Sequence, residues 1–192
     1  MLKELVKHSR SYRRYHQDKP VSLEVLKELV DLARFTPCGA NNQALKFILS
    51  TDQLLNKQIN DCIIWAAYFK GWISPPEGER PSSYIIALQD SELPAAALQD
   101  YGITAQTMLL GAAEKGLGGC YIGNIDKPKL KKLLDLQLRF EIAFVLPIGK
   151  PKETVEIETI ENGSVKYWRD ECGVHHVPKR SIEELILRTE GI

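Results

Sequence analysis

Apolar residues at Leu23, Leu26, Leu29, Val30 and Ala33 recur at helical spacing and predict an amphipathic helix. Ser22 suits its N-cap, and the pattern must stop before Pro37 and Gly39. Upstream, MLKELVKHS reads as a short amphipathic helix. Leu45 to Ser50 and Tyr84 to Leu88 read as strands. Between them, Gln53 to Lys70 carries the pattern of a helix or helix pair, and Gly71 to Arg80 reads as a loop because two adjacent prolines and two glycines break regular structure. Ala95 to Lys115 is the longest helical pattern. Ile103, Thr107, Leu110 and Glu114 share one face, and Ala105, Met108 and Ala112 another. Small and apolar residues nearly all round predict a central, buried helix ending at Gly116. Gly119 to Ile122 reads as a short strand, and Lys127 to Leu134 as a helix with Pro128 in its first turn. Phe140 to Ile148 is apolar almost without interruption, as a strand buried on both faces would be. The remainder predicts a hairpin over Val155 to Trp168 and a last helix from Ile182, opened by the capping-box pair Ser181 and Glu184.

Helices and strands mix without strict βαβ alternation, so the pattern favours an α+β layered domain over a doubly wound nucleotide fold. The glycine-rich stretch from Gly116 to Asn124 lacks G-x-G-x-x-G and follows a helix instead of opening one, so it is not a dinucleotide fingerprint. The chain of 192 residues suits a single domain, 1–192, with a sizeable core. Lys plus Arg and Asp plus Glu number 25 each, and a zero net charge argues against a nucleic-acid or membrane-surface partner. Cys38, Cys62, Cys120 and Cys172 are scattered with no C-x-x-C pair, which argues against a zinc site or disulfide framework and fits a reducing cytoplasm. No apolar stretch is long enough to span a bilayer, and the N-terminal segment does not read as a signal peptide.

Against that neutral background one cluster stands out. HSRSYRRY (His8 to Tyr15) sets Arg10, Ser11, Arg13 and Arg14 within five residues. Guanidinium forks suit phosphate and carbonyl oxygens, so the local basic cluster points to a small anion. A solvated helix end is the competing reading. A second polar cluster, Pro37-Cys38-Gly39-Ala40-Asn41-Asn42-Gln43, follows the first long helix. Trp65, Tyr68 and Trp72 form an aromatic stripe that reads as core or as the lining of a pocket. The pair His175-His176 has no carboxylate or cysteine at metal-ligand spacing along the chain, so no metal is expected.

Taken together and in order, these segments resemble the nitroreductase-like flavin oxidoreductase family along nearly the whole chain. The family opens with R-x-S-x-R/K-x-F, matched by Arg10-Ser11-Tyr12-Arg13-Arg14-Tyr15. Its P-S-x-x-N-x-Q is matched by Pro37 to Gln43, with Cys38 in place of serine. Its G-L-G-x-C-W-I-G is matched by Gly116 to Gly123, with Tyr121 in place of tryptophan. Its basic segment after the last long strand resembles Pro178-Lys179-Arg180. The resemblance implies a three-layer α+β fold whose central, mostly antiparallel sheet is flanked by helices, and a homodimer with an extended C-terminal tail and FMN at the subunit interface.

It also implies roles. Arg10, Lys179 and Arg180 would hold the FMN phosphate, and Ser11 and Asn41 the ribityl hydroxyls or phosphate. Arg13 would lie at the carbonyl edge of the ring, and the backbone of Ile122 and Gly123 near N5, with Tyr121 as an aromatic surface beside it. Pro37, Cys38, Gly39 and Asn41 would serve the partner protomer's flavin, while Trp65, Tyr68 and Trp72 would line the substrate pocket. Catalysis would then need no side-chain nucleophile: hydride passes from NADH or NADPH to N5 and on to an electron-poor small molecule such as a nitroaromatic, quinone or enone, in ping-pong order. A flavin-binding protein without NAD(P)H turnover and a cysteine-dependent enzyme centred on Cys38 or Cys120 remain open alternatives. Lys179 and Arg180 could instead flank a capped helix, and Cys38 could be a small buried residue.

Overall fold

The computed structural model describes residues 1–66, 68–69 and 71–191. Helix α1 (Leu2–His8) leads to α2 (Leu23–Arg34), where the Ser22 hydroxyl accepts from the Val25 amide at 3.3 Å. A single 3₁₀ turn (Gly39–Asn41) precedes β1 (Leu45–Ser50), and α3 (Gln53–Asn60) is capped by Asp52, whose carboxylate accepts from Leu55 at 2.7 Å. Then follow β2 (Ser83–Asp90), α4 (Leu98–Glu114), β3 (Gly118–Gly119), α5 (Lys127–Leu133) and β4 (Phe140–Gly149). The tail carries β5 (Val155–Thr159), β6 (Trp168–Arg169), β7 (His175–Lys179) and a four-residue helix α6 (Ile182–Leu185) with the expected Ser181–Glu184 capping box.

The main sheet has the order β1-β2-β4-β3 and is antiparallel throughout. Both faces are covered. On one face α2 and α4 bring Leu26, Leu29, Ala105, Met108 and Ala112 against Ile85, Ala87, Phe144, Leu146 and Ile148. On the other, Ile59 of α3 and Leu130 of α5 pack on Tyr84, Ile86, Leu88, Ile142 and Val145. Period-2 alternation would put Ile142 with Phe144. It does not, because the register slips between Ala87 and Leu88: Ala87 opposes Phe144, Leu88 opposes Ile142, and the extra residue Ala143 forms a bulge. That single insertion sends Ile142 into the second core. Helices α2 and α4 touch closely at Gly111, where an added Cβ would fall 2.4 Å from a Leu32 methyl.

Three expectations are corrected. The helix over Gln53 to Lys70 stops at Asn60; Ala67 and Lys70 lie outside the described residues. Beyond Asn60 the β-branched and aromatic run is extended, Ile63 bridges Ile125, and the Ile64 amide donates to Asn124 at 3.0 Å. A strand-like partner outcompetes helix propensity there. The hairpin over Val155 to Trp168 does not form. The tail sheet has the order β5-β7-β6, with β5 parallel to β7 and the antiparallel pair formed by β6 and β7. Finally, α4 buries one face only: Thr104, Ala105, Met108 and Ala112 are buried, while Leu98 is 78% and Ile103 39% exposed.

Candidate functional site

After α1 the segment Ser9 to Tyr15 runs in extended form beside the end of the main sheet. Ser11 bridges Gly119 in parallel, and the Tyr12 amide donates to the Gly119 carbonyl at 3.0 Å. Gly118 must lack a side chain here, since a Cβ would sit 2.3 Å from the Tyr12 ring. Tyr15 is fully buried, bridges Pro151, and donates its hydroxyl to the Tyr12 carbonyl at 2.5 Å.

Two buried carboxylates hold this segment. Glu79 takes a two-pronged contact from Arg14, one arm at 2.7 Å, and an ion pair from Lys152 at 3.0 Å. Glu153, whose side chain is wholly buried, accepts from the amides of Arg13 and Arg14, the latter at 3.2 Å, and from Arg169 at 2.7 Å. The head, the loop before β2 and the tail are thus cross-linked by charge-assisted hydrogen bonds. Neither glutamate carries a motif signal, which is why the sequence did not reveal them.

Of the nine arginines in the chain, Arg14, Arg34, Arg80, Arg139, Arg169, Arg180 and Arg188 pair with carboxylates. Among the described residues only Arg10 and Arg13, the two that flank Ser11, do not. Arg10 donates one arm to the Val6 carbonyl at 2.7 Å, and its buried Nε has no partner. Arg13 donates to the Ser11 carbonyl at 3.3 Å and lies 4.9 Å above the Tyr167 ring. Beneath them Cys120 is buried, and that burial pushes its thiol up, so it is a poor nucleophile.

Arg13 opens onto an aromatic cluster. Trp65 and Trp72 meet edge to face at 6.2 Å, and Phe69 contacts Trp72, Tyr167 and His175 at 5.1 to 5.9 Å. Tyr68 packs on Tyr167 at 5.0 Å, and Arg169 lies 4.5 Å over Phe69. The structure therefore joins Trp65, Tyr68 and Trp72 to Arg13 and adds Phe69, Tyr167, Arg169 and His175, which sequence reasoning missed. His175 is 1% exposed, and among the described residues neither ring nitrogen has a hydrogen-bond partner. Burial first, then the positive charges of Arg13 and Arg169, depress its pKa to about 4, so it is neutral near pH 7.

The other sequence candidates are held by contacts of their own. The Gly39 amide donates to Asp100 at 2.9 Å, which pins the Pro37 to Asn41 segment to the start of α4. Ala40, Asn41 and Gln43 hold φ values of 49, 55 and 48°, a strained run of left-handed residues that no sequence signal announces. Cys38 lines a cavity of about 260 Å³ with Thr36, Phe47, Asp100 and Thr104. Tyr121 is 42% exposed against Phe144. Ile122 commits both backbone groups to Val145, at 3.0 and 2.9 Å, while among the described residues the amide of exposed Gly123 has no partner. Lys179 sits opposite Thr159 at the end of β7, and Arg180 pairs with Glu184 at 3.4 Å. Among the described residues, no hydrogen bond or ion pair joins either to Arg10, Ser11 or Arg13. The reading of His175-His176 as lacking carboxylate partners is corrected in space: His176 lies between Glu158 and Asp170.

The clamp on Glu79 has a pH signature. Arg14, foremost, holds the Glu79 carboxyl down at about 2, against an ordinary value of 4.5. A depressed carboxylate stabilises the fold fully above its unfolded value, and that contribution fades as pH falls from about 4.5 towards about 2. The unfolding free energy of the wild type should fall by on the order of 3 kcal/mol more than that of Glu79→Gln across this window. Parallel pH profiles from chemical denaturation would remove Glu79 from the clamp.

Comparison with known proteins covers the head, the Pro37 to Gln43 segment and the glycine-rich stretch. The Nitroreductase family profile matches residues 6–74 and 78–150. A Methanothermobacter thermautotrophicus protein provisionally named NADH dehydrogenase/NAD(P)H nitroreductase is 26% identical over 156 residues, covering 78% of this chain and 77% of its own. A Cr(VI) reductase of Pseudomonas sp. strain G-1 is 26% identical over 173 residues, covering 82% and 70%. A solved structure of iodotyrosine deiodinase bound to FMN and 3-iodo-L-tyrosine superposes with a TM-score of 0.65 at 23% identity, covering 89% of this chain and 96% of that one. At that identity the likeness concerns the fold.

Proposed function

This chain belongs to the nitroreductase family, and on that premise we propose that it is an FMN-dependent oxidoreductase working between NADH or NADPH and an electron-poor small molecule. The observation that carries the reading is the pair of arginines, Arg10 and Arg13, left without carboxylates on either side of Ser11 in a chain whose other arginines are all paired. A partly buried guanidinium without a counter-charge costs energy unless an anion meets it. The unpartnered Nε of Arg10 offers one more donor. A phosphate, a hydroxylated chain and a ring with carbonyl edges match this donor set in kind, so the residues fit FMN.

When bound, FMN supplies hydride transfer between NAD(P)H and acceptor. The chain's own part is position and charge. Arg10 and Ser11 hold the phosphate end. Arg13, braced on Tyr167, offers a fixed positive charge to the ring. Gly123 offers an open amide. The aromatic wall of Tyr68, Phe69, Trp72 and Tyr167 limits water and gives a planar acceptor a surface to stack on. A homodimer belongs to the same reading. Phe35, Leu98 and Ile103 are exposed on the α2–α4 side, and Ile182, Leu185 and Leu187 along the tail, more apolar surface than a lone chain leaves to water. In a dimer the Pro37 to Asn41 segment reaches the partner's flavin, and Lys179 and Arg180 reach a phosphate.

The purified protein should be yellow, and its flavin bands should bleach on adding NADH or NADPH without oxygen. Bands that persist with both donors would leave a flavin-binding protein without NAD(P)H turnover. A colourless protein that takes up no added FMN would end the proposal. Arg13→Ala should keep FMN but lower its midpoint potential by about 30 mV, which is about 1.4 kcal/mol for a two-electron couple. An unchanged potential would show that Arg13 does not face the ring.

A further inference from the structure

We propose that the tail sheet carries a site for one divalent transition-metal ion of the zinc class, with His176 Nδ1 and the carboxylates of Glu158 and Glu156 as ligands. The parallel register of β5 and β7 sets Glu156 opposite His176, and Glu158 lies two residues along on the same face of β5. One ligand atom from each of the three falls within 4.8 Å of the others. Around a shared ion with bonds of about 2.1 Å, ligand atoms lie about 3.4 Å apart, a change that the exposed Glu156 side chain makes by rotation.

The imidazole is already oriented for this. Its ring stacks on Trp168 at 4.9 Å with the planes 9° apart. Its Nε2 faces the Asp170 carboxylate at 3.3 Å, and Asp170 is itself held by the Val174 amide at 2.7 Å. A carboxylate on Nε2–H selects the tautomer whose Nδ1 lone pair is free for a metal, the arrangement that metal-binding histidines use. When the imidazole is doubly protonated between Glu158 and Asp170, binding of the ion at Nδ1 releases that proton to solvent.

Charge points the same way. Among the described residues neither Glu158 nor Asp170 meets a lysine or arginine, only His176, and Glu156 meets no cation. Three carboxylates around one imidazole leave at least two negative charges uncompensated, which a dication answers directly. One nitrogen and two carboxylate oxygens suit zinc better than calcium or magnesium, which prefer oxygen alone. His175 points to the opposite face of β7, into the aromatic cluster beside Arg13. An ion that fastens β5 to β7 therefore steadies the wall of the candidate active site from behind.

Titrating Zn²⁺ calorimetrically into the full chain as purified, near neutral pH, tests this. A Cys172→Ser background is run in parallel, because a thiolate is a zinc ligand and that exposed cysteine lies in the turn after Asp170. The expected result is one equivalent per chain in both, with affinity lowered at least about tenfold by Glu158→Gln and by Asp170→Asn. Zinc should also raise the melting temperature of the wild type but not of Glu156→Gln/Glu158→Gln. Absence of saturable binding overturns the proposal, as does zinc binding that is equally tight in that double variant or lost with Cys172 alone.

Discussion

Glu153→Ala should lower the unfolding free energy by about 3–5 kcal/mol, the cost of removing one partner from a buried charged pair. The Glu153 carboxylate is wholly enclosed and takes three donors: two amides of the head segment and the Arg169 guanidinium. Without it Arg169 stays largely buried with no counter-charge, and among the described residues its Nε already lacks a partner. For a chain of this length the loss corresponds to a drop of about 10 °C in melting temperature. Glu153→Gln should cost less, since an amide oxygen still accepts from the two backbone groups and only the ion pair is lost. If alanine and glutamine cost the same within about 0.5 kcal/mol, the backbone contacts contribute nothing and the clamp is a simple ion pair. A secondary effect is expected at the flavin: the residues that Glu153 ties down are Arg13 and Arg14, so Glu153→Ala should also release cofactor more readily.

The second large effect concerns Arg10. Arg10→Ala should weaken FMN retention about 10- to 100-fold, equal to about 1.4–2.8 kcal/mol for one lost charge-assisted contact to phosphate. The fold should hardly notice, because among the described residues the Arg10 side chain makes no ion pair and one hydrogen bond, to the last turn of α1. Equilibrium dialysis of the flavin against a thermal melt separates the two quantities. A variant that stays fully yellow with a lowered melting temperature would reverse the assignment and make Arg10 a structural brace. Arg14→Ala is the contrasting variant, since Arg14 is committed to Glu79 and its loss should cost stability first.

Periodicity alone made most of the fold legible. Helices α2, α4 and α5 and strands β1, β2 and β4 arise where the apolar spacing is regular, and at Ser22 the cap agrees with it. Errors arose where two local preferences were close in energy. Cys62 to Trp65 sits after a helix and is apolar enough to continue one, yet pairing with 124–126 decides for extended chain. Val155 to Trp168 contains two strands joined by turn residues, yet β7 inserts between them. The shift of Ile142 to the second core is likewise invisible along the chain, because a bulge depends on which strand lies alongside.

For the site the division is sharper. The basic cluster, the Pro37 to Gln43 segment and the glycine-rich stretch were visible as residue types, because the chemistry of phosphate and of close backbone approach restricts which side chains can serve. What the sequence by itself determined was therefore the helix and strand pattern, the α+β class and the presence of an anion-suited head. The tertiary structure alone decided which arginines are free. Arg14 and Arg169 are as basic as Arg10 and Arg13, but Glu79 and Glu153, 65 residues from Arg14 and 16 from Arg169, neutralise them. Coulomb energy depends on distance through space and on burial, and neither is written in the order of residues.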